Sequence, residues 1–121
     1  MRIYRGDIYI ARLNSIGSEQ SGDRPVLILQ NDVGNCCGAT TIIAPITSRV
    51  KKKIFLPTHV PVSCRGLEKE SVILIEQIRT IDKRRIKGKL LGHINKVTML
   101  EVDKAIGISL NIDVKYSNEN V

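Results

Sequence analysis

The chemistry available to this chain centres on an arginine and a threonine. Arg24 and Pro25 close a polar stretch, G-S-E-Q-S-G-D-R-P, and open the apolar run Val26-Leu27-Ile28-Leu29. At such a junction the strand fixes the arginine stem while the fork stays available, and a planar guanidinium is the best side-chain match for a phosphate. Thr47 closes a second apolar stretch, T-T-I-I-A-P-I-T, with a hydroxyl able to donate to a phosphoryl oxygen. If the two strands are neighbours, the pair faces one point. Cleaving RNA asks for little more. The substrate's own 2′-OH can be the nucleophile, and the protein must then help remove its proton, stabilise the phosphorane and help protonate the departing 5′-oxygen. Preorganised donors aimed at developing charge usually supply the largest single contribution, and no metal is required. Asn31, His59, Gln77 and Arg79 are further polar residues near the ends of strand-like segments.

Each of these residues also has a plain structural reading. Arg24 can pair with Asp23 or Asp32 at the surface. Thr47 can cap its strand, and His59, set between prolines, can be a loop residue with no task. Gln77 and Arg79 share one side of a strand and can be cross-strand partners. Lys51, Lys52, Lys53, Arg84 and Arg85 read as solvated cations that together form a phosphate-attracting surface. Other chemistries lack their signatures. There is no P-loop, G-x-G-x-x-G, H-E-x-x-H or C-x-x-C, and His59 and His93 alone are too few to argue a Ser-His-Asp triad.

The elements that must position these groups are mostly strands. Gly6 to Leu13 alternates, with Ile8 and Ile10 on one face and Tyr9 and Ala11 on the other. Asn14 to Asp23 is a polar loop. Pro25 to Gln30 is a continuous aliphatic run and reads as a strand buried on both faces. Asn31 to Gly38 carries turn signals. Thr40 to Thr47 is a third strand whose Pro45 places it at an edge or a bulge. Phe55 to Val62 is a short extended piece broken by prolines, and Gly66 to Glu70 is a turn. Ser71 to Ile81 reads as one long strand that exposes Gln77 and Arg79 together. Asp82 to Lys89 is basic, one helical turn and a loop, and Leu90 to Ile94 is a last short strand. Asn95 caps a helix to Leu110 whose core face is Met99, Val102, Ile106 and Leu110, with Leu100 and Ile108 opposite. Residues 1–110 then form one mostly-β domain of five to seven strands with a C-terminal helix, closed as a small barrel or strongly bent sheet, and 111–121 is a polar tail.

Composition narrows the partners. The chain has 121 residues, 42% hydrophobic, with a formal net charge of +7, which fits a globular domain that meets a polyanion. No stretch approaches the roughly 20 apolar residues of a membrane span. The N-terminus runs straight into a strand-like segment and reads as having no signal peptide. Cys36, Cys37 and Cys64 are a poor disulfide framework and, with His59, match no standard zinc spacing, so a reducing cytoplasm fits. Aromatic content of 3% argues against an RNA surface built on rows of stacked rings.

Five segments, in order, carry a resemblance. R-G-D-I-Y, G-S-E-Q-S-G-D-R-P-V-L-I-L-Q-N-D, T-I-I-A-P-I-T-S, L-P-T-H-V and S-V-I-L-I-E-Q-I-R-T-I-D-K closely resemble the MazF/PemK family of toxin endoribonucleases, over about Arg5 to Leu110. The resemblance implies an SH3-like barrel, mostly β with a C-terminal helix, that forms a homodimer. It implies sequence-specific, metal-independent and cofactor-free cleavage of single-stranded RNA, mainly mRNA, to 2′,3′-cyclic phosphate and 5′-hydroxyl ends. By position, Arg24 and Thr47 match the catalytic arginine and threonine. Ser18, Glu19 and Gln20 match the mobile loop beside the site. Asn31, Leu56, Pro57, His59, Glu76 and Gln77 match positions that line the RNA groove and read bases. The partner implied is a cognate MazE-like antitoxin whose acidic, disordered segment fills the basic groove. Two other readings stay open: a binding toxin of the same fold that poisons gyrase, as CcdB-type toxins do, and a non-catalytic nucleic-acid-binding barrel.

Overall fold

The computed structural model describes residues 2–48 and 56–113. β1 (Asp7–Leu13) and β2 (Gly22–Ile28) form an antiparallel hairpin around the polar loop. Alternation along β1 sends Ile8 into one core and Tyr9, Ala11 and Leu13 into another. On β2, Val26 and Ile28 join the Tyr9 side and Leu27 joins Ile8, so the strand is apolar on both faces, as its unbroken run predicts. β3 (Thr40–Thr47) pairs with β2 from Val26↔Pro45 to Ile28↔Ile43.

The middle of the chain departs from expectation in two ways. β3 is an interior strand, so Pro45 is not on an edge. It sits where the strand changes its other neighbour. β6 (Arg79–Asp82) pairs with Thr40 to Ile43, and β5 (Ser71–Leu74) pairs with Ile46 and Thr47. A residue without an N–H fits where a ladder is interrupted. Correspondingly, Ser71 to Ile81 is not one strand. A 3-10 turn at Ile75–Gln77 divides it, and the offset lets one segment serve two stretches of β3. β4 (His59–Val62) pairs with β5 at the rim of the sheet, where Pro61 is tolerated.

β7 (Ile86–His93) starts well before the Leu90–Ile94 strand expected, directly after a single basic turn, Lys83–Arg85. Its register on β1 shifts between Ile8 and Ile10, and Gly88 has a φ of 72°. The irregularity and outward charged side chains erase the period-2 signal. α1 (Asp32–Cys37) replaces the turn expected over Asn31 to Gly38. The Asn31 side chain accepts from the Gly34 N–H at 2.8 Å, while buried Asn35 donates to the Gln30 carbonyl and accepts from the Thr41 hydroxyl, both at 2.8 Å. So short a helix forms through such bonds, not through propensity.

The strand order is β4-β5-β3-β2-β1-β7 with β6 on β3, an open, barrel-like antiparallel sheet. α2 (Lys96–Leu110) closes the Ile8 side, capped by Asn95, whose side chain accepts from the Thr98 N–H at 2.8 Å. Val102 and Ala105 are buried there with Met99 and Ile106 packed beside them. Leu110, expected on the same face, is exposed, as are Leu100 and Ile108. Asn111 ends the helix in the left-handed conformation. No helix among the described residues is long and apolar enough to cross a membrane. Lys51, Lys52 and Lys53, Phe55 and the end of the tail, 114–121, lie outside the described residues.

Candidate functional site

Arg24 and Thr47 stand at adjoining strand ends. Carrying the β2–β3 register two residues past Val26↔Pro45 sets Arg24 level with Thr47, on one face of the ladder. Thr47 in turn opposes Val72 of β5 and is only 7% exposed. Arg24 Nε donates to the Ser21 carbonyl at 2.9 Å, and its two terminal nitrogens meet no acceptor among the described residues. Neither nearby acid takes the fork. Asp23 pairs with Arg12 at 3.3 Å and Lys87 at 3.8 Å, and Asp32 accepts from the Arg5 backbone N–H at 2.6 Å. Arg24 is therefore not the salt-bridged flank that its neighbours in sequence allow. Its stem is held, one nitrogen is tied to backbone, and its outer donors are open to a phosphate.

The loop between β1 and β2 is gripped by the segment around the 3-10 turn. Gln77 Oε1 accepts from the Gln20 N–H at 3.0 Å. Arg79 donates to the Ser15 hydroxyl and, at 3.1 Å, to the Asn14 carbonyl. These two residues thus hold the loop and are not a cross-strand pair. Ser18 and Glu19 are exposed at the loop tip, beside Gly17 with its φ of 61°.

A second rim forms where β4 begins. β4 begins at the His59↔Leu74 pair, with Leu56 and Pro57 just before it in the chain and Glu76 and Gln77 just after Leu74. His59 Nε2 lies 2.9 Å from Glu76 Oε2, and the Thr58 hydroxyl donates to Glu76 Oε1 at 3.0 Å. Leu56 and Pro57 are exposed. Asn31 is not brought here: it lies past the far end of β2, with its side chain used as the α1 cap. A cavity of about 480 Å³ opens at the strand ends, lined among others by Arg24, Pro25, Ile46, Ser48, Leu67 and Leu91. Ser48, Leu67 and Leu91 had carried no signal in the sequence, since only folding brings their three segments together.

Away from the rim, Asp82 and Arg84 tie one another. Hydrogen bonds from the Arg84 side chain, then from its backbone N–H, hold the Asp82 carboxyl below the usual carboxylate range, and Asp82 raises the Arg84 guanidinium in return. Burial, then the Asp7 charge, pushes the Tyr9 hydroxyl up. Among the described residues no three His, Cys, Asp or Glu side chains converge at metal-binding range.

The arrangement has clear relatives. Residues 4–110 match the family described as PemK-like, MazF-like toxins of type II toxin–antitoxin systems. The chain is 50% identical over 113 residues to the endoribonuclease EndoA of Bacillus subtilis (strain 168), covering 91% of this chain and 96% of that one. Among solved structures it is similar to the Mycobacterium tuberculosis toxin MazF-mt6, with a TM-score of 0.75 and 30% identity over 89% of this chain and 99% of the other. It is also similar to MazF from Deinococcus radiodurans, with a TM-score of 0.74 and 25% identity over 90% and 96% of the two chains. A family match across nearly the whole sheet and helix, with a relative sharing half of its residues, decides the matter: the chain belongs to the PemK-like, MazF-like family of toxins of type II toxin–antitoxin systems.

Proposed function

We propose that Arg24 and Thr47 are the catalytic pair of this toxin and that the rims beside them hold single-stranded RNA. Membership of the family makes the chain an endoribonuclease toxin that acts on RNA as a homodimer and is neutralised by a cognate antitoxin. The observation that carries the catalytic reading is the Arg24 fork, whose terminal nitrogens meet no acceptor among the described residues, level with Thr47. The scissile phosphate sits against the guanidinium, and the Thr47 hydroxyl donates to a non-bridging oxygen. The 2′-oxygen attacks phosphorus as its proton passes to solvent water, the new O2′–P bond forms, and the P–O5′ bond breaks as O5′ takes a proton from water. The products are a 2′,3′-cyclic phosphate and a 5′-hydroxyl. A guanidinium stays protonated and is a poor base, so Arg24 acts first on the charge of the phosphorane.

Ser18, Glu19, Gln20, Leu56, Pro57, His59, Glu76 and Gln77 line the path of the strand. Gln77 can read a base with its amide donors while its oxygen holds the loop. Asn31, at the far end of β2, meets a base remote from the cut. We read 1–110 as the toxin domain and 111–121 as a tail, and place the toxin in the cytoplasm with its mRNA substrate and antitoxin. The test uses antitoxin-free wild type and Arg24→Ala, a long single-stranded RNA, EDTA and mapped ends. Discrete cuts ending in cyclic phosphate are expected from wild type alone, with fold and dimer retained in the variant. Cleavage by Arg24→Ala would sink the assignment. No cuts by folded wild type would turn the search toward a protein target such as gyrase.

A further inference from the structure

We infer that Arg79, working with Gln77, is a positioning residue that clamps the β1–β2 loop at both ends and thereby aims Arg24; the inference rests on the catalytic reading above. Arg79 lies in β6 opposite Ile43, so its backbone is fixed by an interior strand. Its two terminal nitrogens grip the start of the loop, one on the Ser15 hydroxyl and one on the Asn14 carbonyl. Two residues earlier, Gln77 takes the Gln20 N–H at the loop's end. The next residue, Ser21, supplies the carbonyl that accepts from Arg24 Nε at 2.9 Å. Whatever moves the loop moves that carbonyl and turns the fork.

Among the described residues the loop has little else to hold it. Ile16 is 83% exposed, and a Cβ at Gly17 or Gly22 would have nothing within 4 Å. Both glycines have positive φ and open the backbone to many conformations. Inside the loop there is one backbone bond, from the Glu19 N–H to the Ile16 carbonyl at 3.3 Å. Two anchors on one rigid segment remove most of that freedom before RNA arrives, which lowers the ordering cost of the reactive geometry. No carboxylate pairs with Arg79 among the described residues. A direct phosphate contact is therefore the competing role, although both terminal nitrogens are already spent on the loop.

The experiment compares wild type with Arg79→Ala, Ser15→Ala, the double variant and Arg24→Ala, on an RNA oligonucleotide carrying a mapped cut site. Ser15→Ala changes a loop hydroxyl and keeps the test valid should Arg79→Ala fold poorly, which thermal unfolding reports. Arg79→Ala should lower kcat roughly tenfold or more with KM changed less than about twofold, as expected of a misplaced catalytic group. Ser15→Ala should lower it less, and the double variant should be no slower than Arg79→Ala, because both changes cut one link. Wild-type kcat in both single variants would overturn the inference, as would fully multiplicative losses. A rise in KM alone would also overturn it and make Arg79 a phosphate contact. Cleavage by Arg24→Ala in the same assay would instead remove the catalytic reading beneath it.

Discussion

Thr47 and Arg24 stand level on adjacent strands, and they differ in how cleanly they can be removed. Thr47→Val keeps the β-branch and volume of a nearly buried side chain and deletes only the hydroxyl. We expect kcat to fall about 100- to 1,000-fold, the range seen when one preorganised donor is lost, with stability changed by about 1 kcal/mol. Multiple-turnover kinetics beside urea unfolding checks this, and a change in KM alone would make Thr47 a binding residue. At this scale the sequence marked two residues that the fold sets level with one another, because Pro25 and the apolar run show where the Arg24 stem is fixed. It left open whether Asp23 or Asp32 neutralises the fork. That depended on Arg12 and Lys87 taking Asp23 and on Asp32 lying past the far end of β2, an arrangement made only by folding. The opposite holds for R-G-D-I-Y, which marks the family by its spelling yet serves the scaffold. Arg5 donates to the Leu29 carbonyl at 2.9 Å and to Asp103 at 2.6 Å, while buried Asp7 accepts from the Tyr4 N–H and lies 2.8 Å from His93 Nδ1.

Elements were legible where one pattern had one cause. β1, β3 and α2 fall close to their expected bounds, since period-2 or helical spacing and the Asn95 cap operate within each segment. β2 runs from Gly22 to Ile28 instead of Pro25 to Gln30, because pairing with β1 draws the end of the polar loop into the hairpin. The misses have tertiary causes. The break at Ile75–Gln77 exists because β3 offers two stretches to pair with, and α1 exists because Asn35 is bonded to Gln30 and Thr41. The approach of residues 64–68 to β7 is of the same kind, and it walls the cavity beside Arg24. A Cβ on Gly66 would lie 2.0 Å from the Leu91 carbonyl oxygen, backbone that cannot swing away. Gly66→Ala should therefore cost about 2–3 kcal/mol by overpacking. Gly88→Ala has only its φ of 72° to contend with, in open space, and should cost about 1 kcal/mol. Urea unfolding of the two variants checks the contrast. Equal losses would mean that the close approach is not a constraint on the fold.

At the scale of the whole molecule, a net charge of +7 suits RNA as a partner, but the cations are not equivalent. Arg84 is tied to Asp82 at 3.0 Å and Lys87 lies 3.8 Å from Asp23, so part of each charge is already compensated. Lys89 is exposed, has no carboxylate partner among the described residues, and stands two residues from Leu91 in the cavity wall. Phosphate binding releases counterions only where a cation is available to replace them, and for single strands each contact adds about 0.7 to the slope of log affinity against log salt. Lys89→Ala should therefore flatten that slope by about 0.7, and Arg84→Ala should leave it nearly unchanged. Binding of the cleavage-deficient Arg24→Ala protein, as background, to a fluorescent single-stranded RNA at several salt concentrations measures both. In the otherwise wild-type enzyme, Lys89→Ala should raise KM and leave kcat in place, because a charge that steers the strand does not touch the phosphorane. If Arg84→Ala flattens the slope and Lys89→Ala does not, the RNA follows the Lys83–Arg85 turn, and the ion pair with Asp82 opens on binding.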